Sequence, residues 1–125
     1  MKTIRFIAVG VAACAALVLP AAGSSADTAD RRAPKFVKVG DDFFSPASTS
    51  VPRGRVVRWV WSPANENAHN IRLRRAPGGV DKGRFRSASR RVNYTFQRRL
   101  RRPGRYVFVC SFHAPGMRQV IRVRR

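Results

Sequence analysis

Acidic side chains, cysteine, histidine and methionine are all scarce here: six carboxylates against 26 lysines and arginines, and two each of the other three. Cys14 falls in an N-terminal leader, which leaves Cys110 as the one cysteine of the remainder. No intramolecular disulfide can then form, so the fold must rest on its core. The sequence C-S-F-H, Cys110 to His113, departs from the C-x-x-C-H of c-type haem attachment. No stretch of ten residues shows a helical repeat, no segment repeats, and no residue pair resembles a catalytic dyad. No RNA-recognition, zinc-finger or helix-turn-helix signature accompanies the basic residues, which excludes specific nucleic-acid recognition and leaves non-specific polyanion affinity.

The leader is distinct in character. MKTIR is basic, residues 6–20 form an apolar run of fifteen, and AAGSSA supplies small residues for cleavage. Residues 1–26 therefore read as a secretory signal peptide, and the run is short of the roughly 18–20 residues that would span a bilayer. Val11-Ala12-Ala13-Cys14 resembles a bacterial lipobox, but the apolar run continues past Cys14 where a lipidated cysteine would open a polar stretch. Export to the periplasm, the extracellular space or the cell envelope follows. Residues 27–34 read as a linker, and 35–125 as one monomeric domain. Without Lys2 and Arg5, the 24 remaining basic residues against 6 acidic ones give a net charge of about +18. Most arginines alternate with apolar residues, as on the outward faces of strands. Only Arg98, Arg99, Arg101 and Arg102 crowd together, a candidate docking patch for an acidic partner.

From Lys35 onward the period is two. KFVKV, STSV, RVVRWVW, HNIRLRR, VNYTFQ, RYVFVC and VIRVRR read as strands, with DDFFSPAS as a turn and crossing segment. In RVVRWVW, residues Val57, Trp59 and Trp61 share one face. RYVFVC is nearly continuous and reads as a central strand. Seven or eight short strands punctuated by glycine and proline predict an all-β fold, an antiparallel sandwich or flattened barrel.

An unpaired thiol in an oxidising compartment invites oxidation or cross-linking, so Cys110 needs an occupant. It ends the RYVFVC strand, His113 and Met117 lie in the following loop, and His69 opens another strand. If those strand ends meet at one pole, a thiolate, two imidazoles and a thioether converge. That donor set suits copper: soft sulfur holds Cu(I), imidazole tolerates both oxidation states, and a weak axial thioether completes the site. Taken singly, each residue reads as core packing. Together they are the chain's only histidines, its only cysteine outside the leader and its only methionine after the initiator. Zinc is disfavoured, because thioether is a poor ligand for it.

KFVKVGDDFFSPASTSVPRGRVVRWVW, HNIRL, YTFQ and PGRYVFVCSFHAPGM together resemble the cupredoxin family, specifically small plastocyanin- and amicyanin-like blue copper proteins, over residues 35–125. The resemblance implies a Greek-key β-sandwich with one type 1 copper, held by His69, Cys110, His113 and Met117, that carries single electrons between redox partner proteins. It also implies that Asn70 bonds across to the cysteine loop near Ser111. Two departures stand out. Three residues separate His113 from Met117, between the two of amicyanin-like loops and the four of plastocyanins, and Gln119 stands where relatives often carry glycine. Ala114, Pro115 and Gly116, small and apolar, make His113 the expected electron port. A copper storage or delivery module is the alternative that the same ligands would serve, and a metal-free cationic module is a remoter one.

Overall fold

The computed structural model describes residues 33–125; the expected signal peptide and all but the last two residues of the expected linker lie outside them. Eight strands follow in order: β1 (Lys35–Gly40), β2 (Phe43–Ser45), β3 (Ser48–Pro52), β4 (Val56–Trp61), β5 (Arg72–Arg75), β6 (Thr95–Arg99), β7 (Gly104–Val109) and β8 (Arg118–Arg124). A 3-10 helix, Lys82–Phe85, is the only helical element among the described residues. The strands make two four-stranded sheets, ordered β2-β1-β4-β6 and β3-β8-β7-β5.

Alternation makes the core. Val57, Trp59 and Trp61 of β4 are buried, and their ladder partners on β1 and β6 put Val37, Val39 and Phe96 beside them. Leu73, Tyr106, Phe108, Ile121 and Val123 of the other sheet face them, with Cys110 and Met117 in the same cluster. Trp59 lies at its centre, its ring edge-on to Phe108 at 4.9 Å between centroids and tilted to Phe96 at 5.8 Å. Such offset aromatic contacts add to the burial of the rings themselves.

The sheets are mixed rather than purely antiparallel: β1 pairs with β4, and β3 with β8, in parallel. Close spacing of strands favours hairpins, but the chain changes sheets after β2 and again after β3. It therefore returns to β1 pointing the same way, the crossover that parallel neighbours require. DDFFSPAS is also more than a turn, since Phe43–Ser45 folds back on β1 as β2 before the crossing at Pro46 and Ala47. β6 starts at Thr95, later than the VNYTFQ pattern implies, because Asn93 adopts a positive φ of 53°. The strand runs on instead through Arg98 and Arg99.

One buried polar group ties the sheets together. Gln119 of β8, wholly buried, accepts from the Trp59 indole Nε1 at 2.8 Å and donates to the Pro46 carbonyl at 2.7 Å. A glycine there could make neither bond. Replacing one partner of a buried hydrogen bond costs more than the bond itself contributes, because the remaining group is left desolvated. Gln119→Met, similar in volume, is expected to destabilise the metal-free protein by about 1–3 kcal/mol, read from urea denaturation. An unchanged midpoint would mean that the bonds are replaced by water.

Candidate metal centre

β7 and β8 form a hairpin whose loop carries three of the candidate residues. Its backbone closes on itself: Cys110 N donates to Met117 O (3.2 Å), His113 N to Cys110 O (3.2 Å) and Met117 N to His113 O (3.0 Å). Both sulfur-bearing residues are buried, at 0% and 1% exposure, although no regular strand contains them. His69 arrives from the other direction, just before β5. It exchanges two backbone bonds with Arg90 (2.9 and 3.0 Å), and its carbonyl accepts from Trp61 Nε1 at 3.3 Å.

These anchors bring three side chains together. Cys110 Sγ lies 3.6 Å from His113 Nδ1 and 4.0 Å from His69 Nδ1. One donor atom from each residue falls within 4.8 Å of the others. Metal bonds of about 2.0 Å to nitrogen and 2.3 Å to sulfur, spread at trigonal or tetrahedral angles, put a nitrogen and a sulfur roughly 3.5–3.7 Å apart. The two sulfur–nitrogen distances, 3.6 and 4.0 Å, therefore suit one shared metal ion. Met117 packs in the same buried cluster as Cys110, at the end of the loop.

Asn70 lies beside this group. Its Oδ1 accepts from Ser111 N at 2.9 Å, and its Nδ2 donates to Ser111 Oγ at 2.7 Å. The strand-opening segment with His69 is thereby fastened to the loop with Cys110, the kind of outer contact that holds ligand geometry. Ala114 and Gly116 are exposed and Pro115 is too, around a His113 side chain that is 29% exposed. The arginine cluster is elsewhere. Arg98 and Arg99 end β6, and Arg101 and Arg102 precede β7, at the far end of the strand that leads to Cys110. With Arg84, Phe85 and Tyr106 they line a cavity of about 340 Å³.

Two acidic residues that read only as part of a turn prove to be neighbours of the histidines. Asp41 Oδ1 is 2.8 Å from His69 Nε2, and Asp42 Oδ1 is 3.3 Å from His113 Nε2. The β1–β2 turn is shaped for this: Asp42 takes a positive φ of 64°, and Gly40 leaves room for the Phe43 ring, which a Cβ would meet at 2.2 Å. Asp41 also accepts from the backbone N–H groups of Glu66 (2.8 Å) and Asn67 (3.1 Å). Those bonds, Glu66 first and then His69, lower its pKa to about 2. An ionised carboxylate only accepts, so Asp41 selects the His69 tautomer with hydrogen on Nε2 and turns the Nδ1 lone pair toward Cys110. The sequence carried one signal of this, two adjacent acids in a chain with so few. Phe112 also lies beside His113, 58% exposed, and nothing in its sequence context marks it.

Removing the carboxylate tests that arrangement. Asp41→Ala is expected to let the His69 ring of the metal-free protein populate both tautomers, seen in nitrogen-15 spectra of the imidazole. A single Nε2–H tautomer in the variant would show that burial alone sets the ring. The stabilisation from Asp41 is full above the ordinary carboxyl value of 3.8 and is lost as pH falls toward about 2. Wild type should therefore lose stability across that window, and the variant should lose less.

No curated protein matches the chain in sequence. Among solved structures, the copper-containing nitrite reductase of Thermus scotoductus SA-01 is similar at 24% identity and a TM-score of 0.63, over 74% of this chain but only 23% of the reductase. A purple cupredoxin from Nitrosopumilus maritimus matches at 23% identity and a TM-score of 0.60, over 72% of this chain and 99% of its own. A Sinorhizobium pseudoazurin matches at 24% identity and a TM-score of 0.58, over 74% of each chain. At such identities the likeness is one of fold, which these eight strands share. The family model described as copper binding proteins, plastocyanin/azurin family, matches residues 36–124. That match takes in all eight strands but for Lys35, together with the His69, Cys110 and His113 cluster, and so this chain belongs to the plastocyanin/azurin family of copper binding proteins, with copper as its single metal cofactor.

Proposed function

We propose that this protein is an exported one-electron carrier whose copper is held by His69, Cys110 and His113 in the trigonal positions and by Met117 in the axial one. The observation that carries the reading is the placement of a buried thiol 3.6 and 4.0 Å from two imidazole nitrogens. Copper supplies a reversible one-electron couple, tuned in such sites by its axial ligand.

The protein's part is to hold the donors still and dry. Cys110, His69 and Met117 are excluded from water, while the loop hydrogen bonds and the Asn70–Ser111 pair fix the donors relative to each other. His113 alone reaches the surface, which makes it the port through which a partner communicates with the metal. Held by these four donors, copper would have no position open for a substrate, and the centre would carry electrons without catalysing a reaction of its own. The chain acts as a monomer, after removal of the signal peptide, on an acidic redox protein. Its charge of about +18 also gives it non-specific affinity for polyanions.

Copper-loaded protein is expected to show an intense visible thiolate-to-copper band. Cys110→Ser should abolish it, since a hydroxyl cannot supply the charge-transfer sulfur; a variant that keeps the band would refute the assignment. Met117→Leu should retain copper and raise the reduction potential, because the axial thioether tunes more than it holds. Loss of copper, or an unmoved potential, would remove Met117 from the axial role. A self-exchange measurement separates the two uses of such a site. Fast exchange supports a carrier, and slow exchange assigns the centre to copper storage or delivery.

A further inference from the structure

The densest arginine cluster is badly placed to guide a redox partner. Arg101 and Arg102 sit before β7 and the ligand loop follows it, so the six residues of the strand separate them, about 20 Å at 3.3 Å per residue. The face beside the ligand loop offers a different surface. Phe108 and Cys110 point into the core, which turns Val107 and Val109 to the outer face of their sheet. Both are nonetheless nearly buried, at 3% and 6% exposure. They floor a groove of about 570 Å³, walled by Arg74 and Arg75, by Arg118, and by Ala114 and Pro115 of the ligand loop itself. The ladder sets this arrangement, with Arg75 opposite Val107 and Arg118 opposite Val109.

None of these three arginines is paired with a carboxylate among the described residues. Three of the four acidic side chains there are committed elsewhere, Asp41 and Asp42 to the histidines and Asp81 to Gly83 N, and the fourth, Glu66, meets Asp41 through its backbone N–H. The surroundings of His113 are therefore polarised, with the Asp42 carboxylate of the β1–β2 turn against its Nε2 and guanidinium groups along the groove that ends at Pro115.

We propose that this groove is the docking surface for an acidic redox protein, in place of the Arg98–Arg102 cluster. The proposal rests on the carrier reading of the metal centre. Carboxylates of the partner lie among Arg74, Arg75 and Arg118, whose planar forks bind carboxylate in pairs of hydrogen bonds. Ala114 and Pro115, both exposed, place the partner's edge beside His113. Asp42 repels the same partner from the opposite side, so that it approaches in one orientation.

Two variants separate the surfaces: the triple Arg74→Gln, Arg75→Gln, Arg118→Gln, and the quadruple Arg98→Gln, Arg99→Gln, Arg101→Gln, Arg102→Gln. The quadruple removes more charge, so a larger effect of the triple reports location and not net charge. A hexaglutamate peptide, titrated into the Cu(I) protein and the metal-free protein, should shift the amide resonances of Val107, Val109, Ala114 and Arg118. The triple variant should weaken that binding about tenfold, as expected for three exposed ion pairs, and the quadruple by much less. Stopped-flow oxidation by anionic ferricyanide should follow the same order, with the flatter salt dependence in the triple variant. Shifts centred on Arg98–Arg102, shifts spread evenly over the surface, or equal losses in the two variants would overturn the groove. Groove binding in a protein whose copper exchanges electrons slowly would instead remove the carrier reading and leave an anion-binding surface. Fast exchange without groove binding removes the groove alone.

Discussion

Everything at the functional pole depends on keeping one buried thiol beside two imidazoles. Such a cluster is unstable by itself, since polar donors away from water must each find a partner or a metal. The fold meets that demand through backbone bonds. Cys110 and Met117 close their own loop, and His69 is tied to Arg90 and Trp61. Asn70 and Ser111 then lock the two halves together. A donor set fixed in this way can accept a change in metal charge without rearranging, and small rearrangement is what rapid electron transfer requires.

The acids around the histidines extend the same logic. In a chain with so strong a positive charge, the β1–β2 turn places two carboxylates against two imidazole Nε2 atoms. Asp41 is itself held by two backbone N–H groups, so its geometry is set before any metal binds. The positive charge is arranged by the strands instead. β6 carries one arginine cluster to the far pole, and β5 and β8 line the groove beside the ligand loop with another. Net charge alone does not distinguish these two surfaces; their distances from His113 do.

Much of the sandwich was legible because its signals are local. The alternation of Val57, Trp59 and Trp61 shows a buried face without knowledge of its neighbours, and the unbroken run from Tyr106 to Cys110 shows an interior strand. The donor residues were legible through their rarity. What escaped was non-local. Parallel pairing of β1 with β4 depends on two changes of sheet, which no short window records. Gln119 looks like an ordinary polar residue until Trp59 and Pro46 are brought to it from the opposite sheet and the crossing segment. Asp41 and Asp42 precede His69 by more than 25 residues, and their turn reads as a solvated corner until β1 carries it to the metal pole.

Preorganisation of the metal site is the claim on which the rest turns, and X-ray absorption on the oxidised and reduced copper protein tests it most directly. The account requires the same nitrogen and sulfur shell in both states, with bond lengths nearly unchanged. Loss of an imidazole, or replacement of the thiolate sulfur by oxygen in either state, would contradict it.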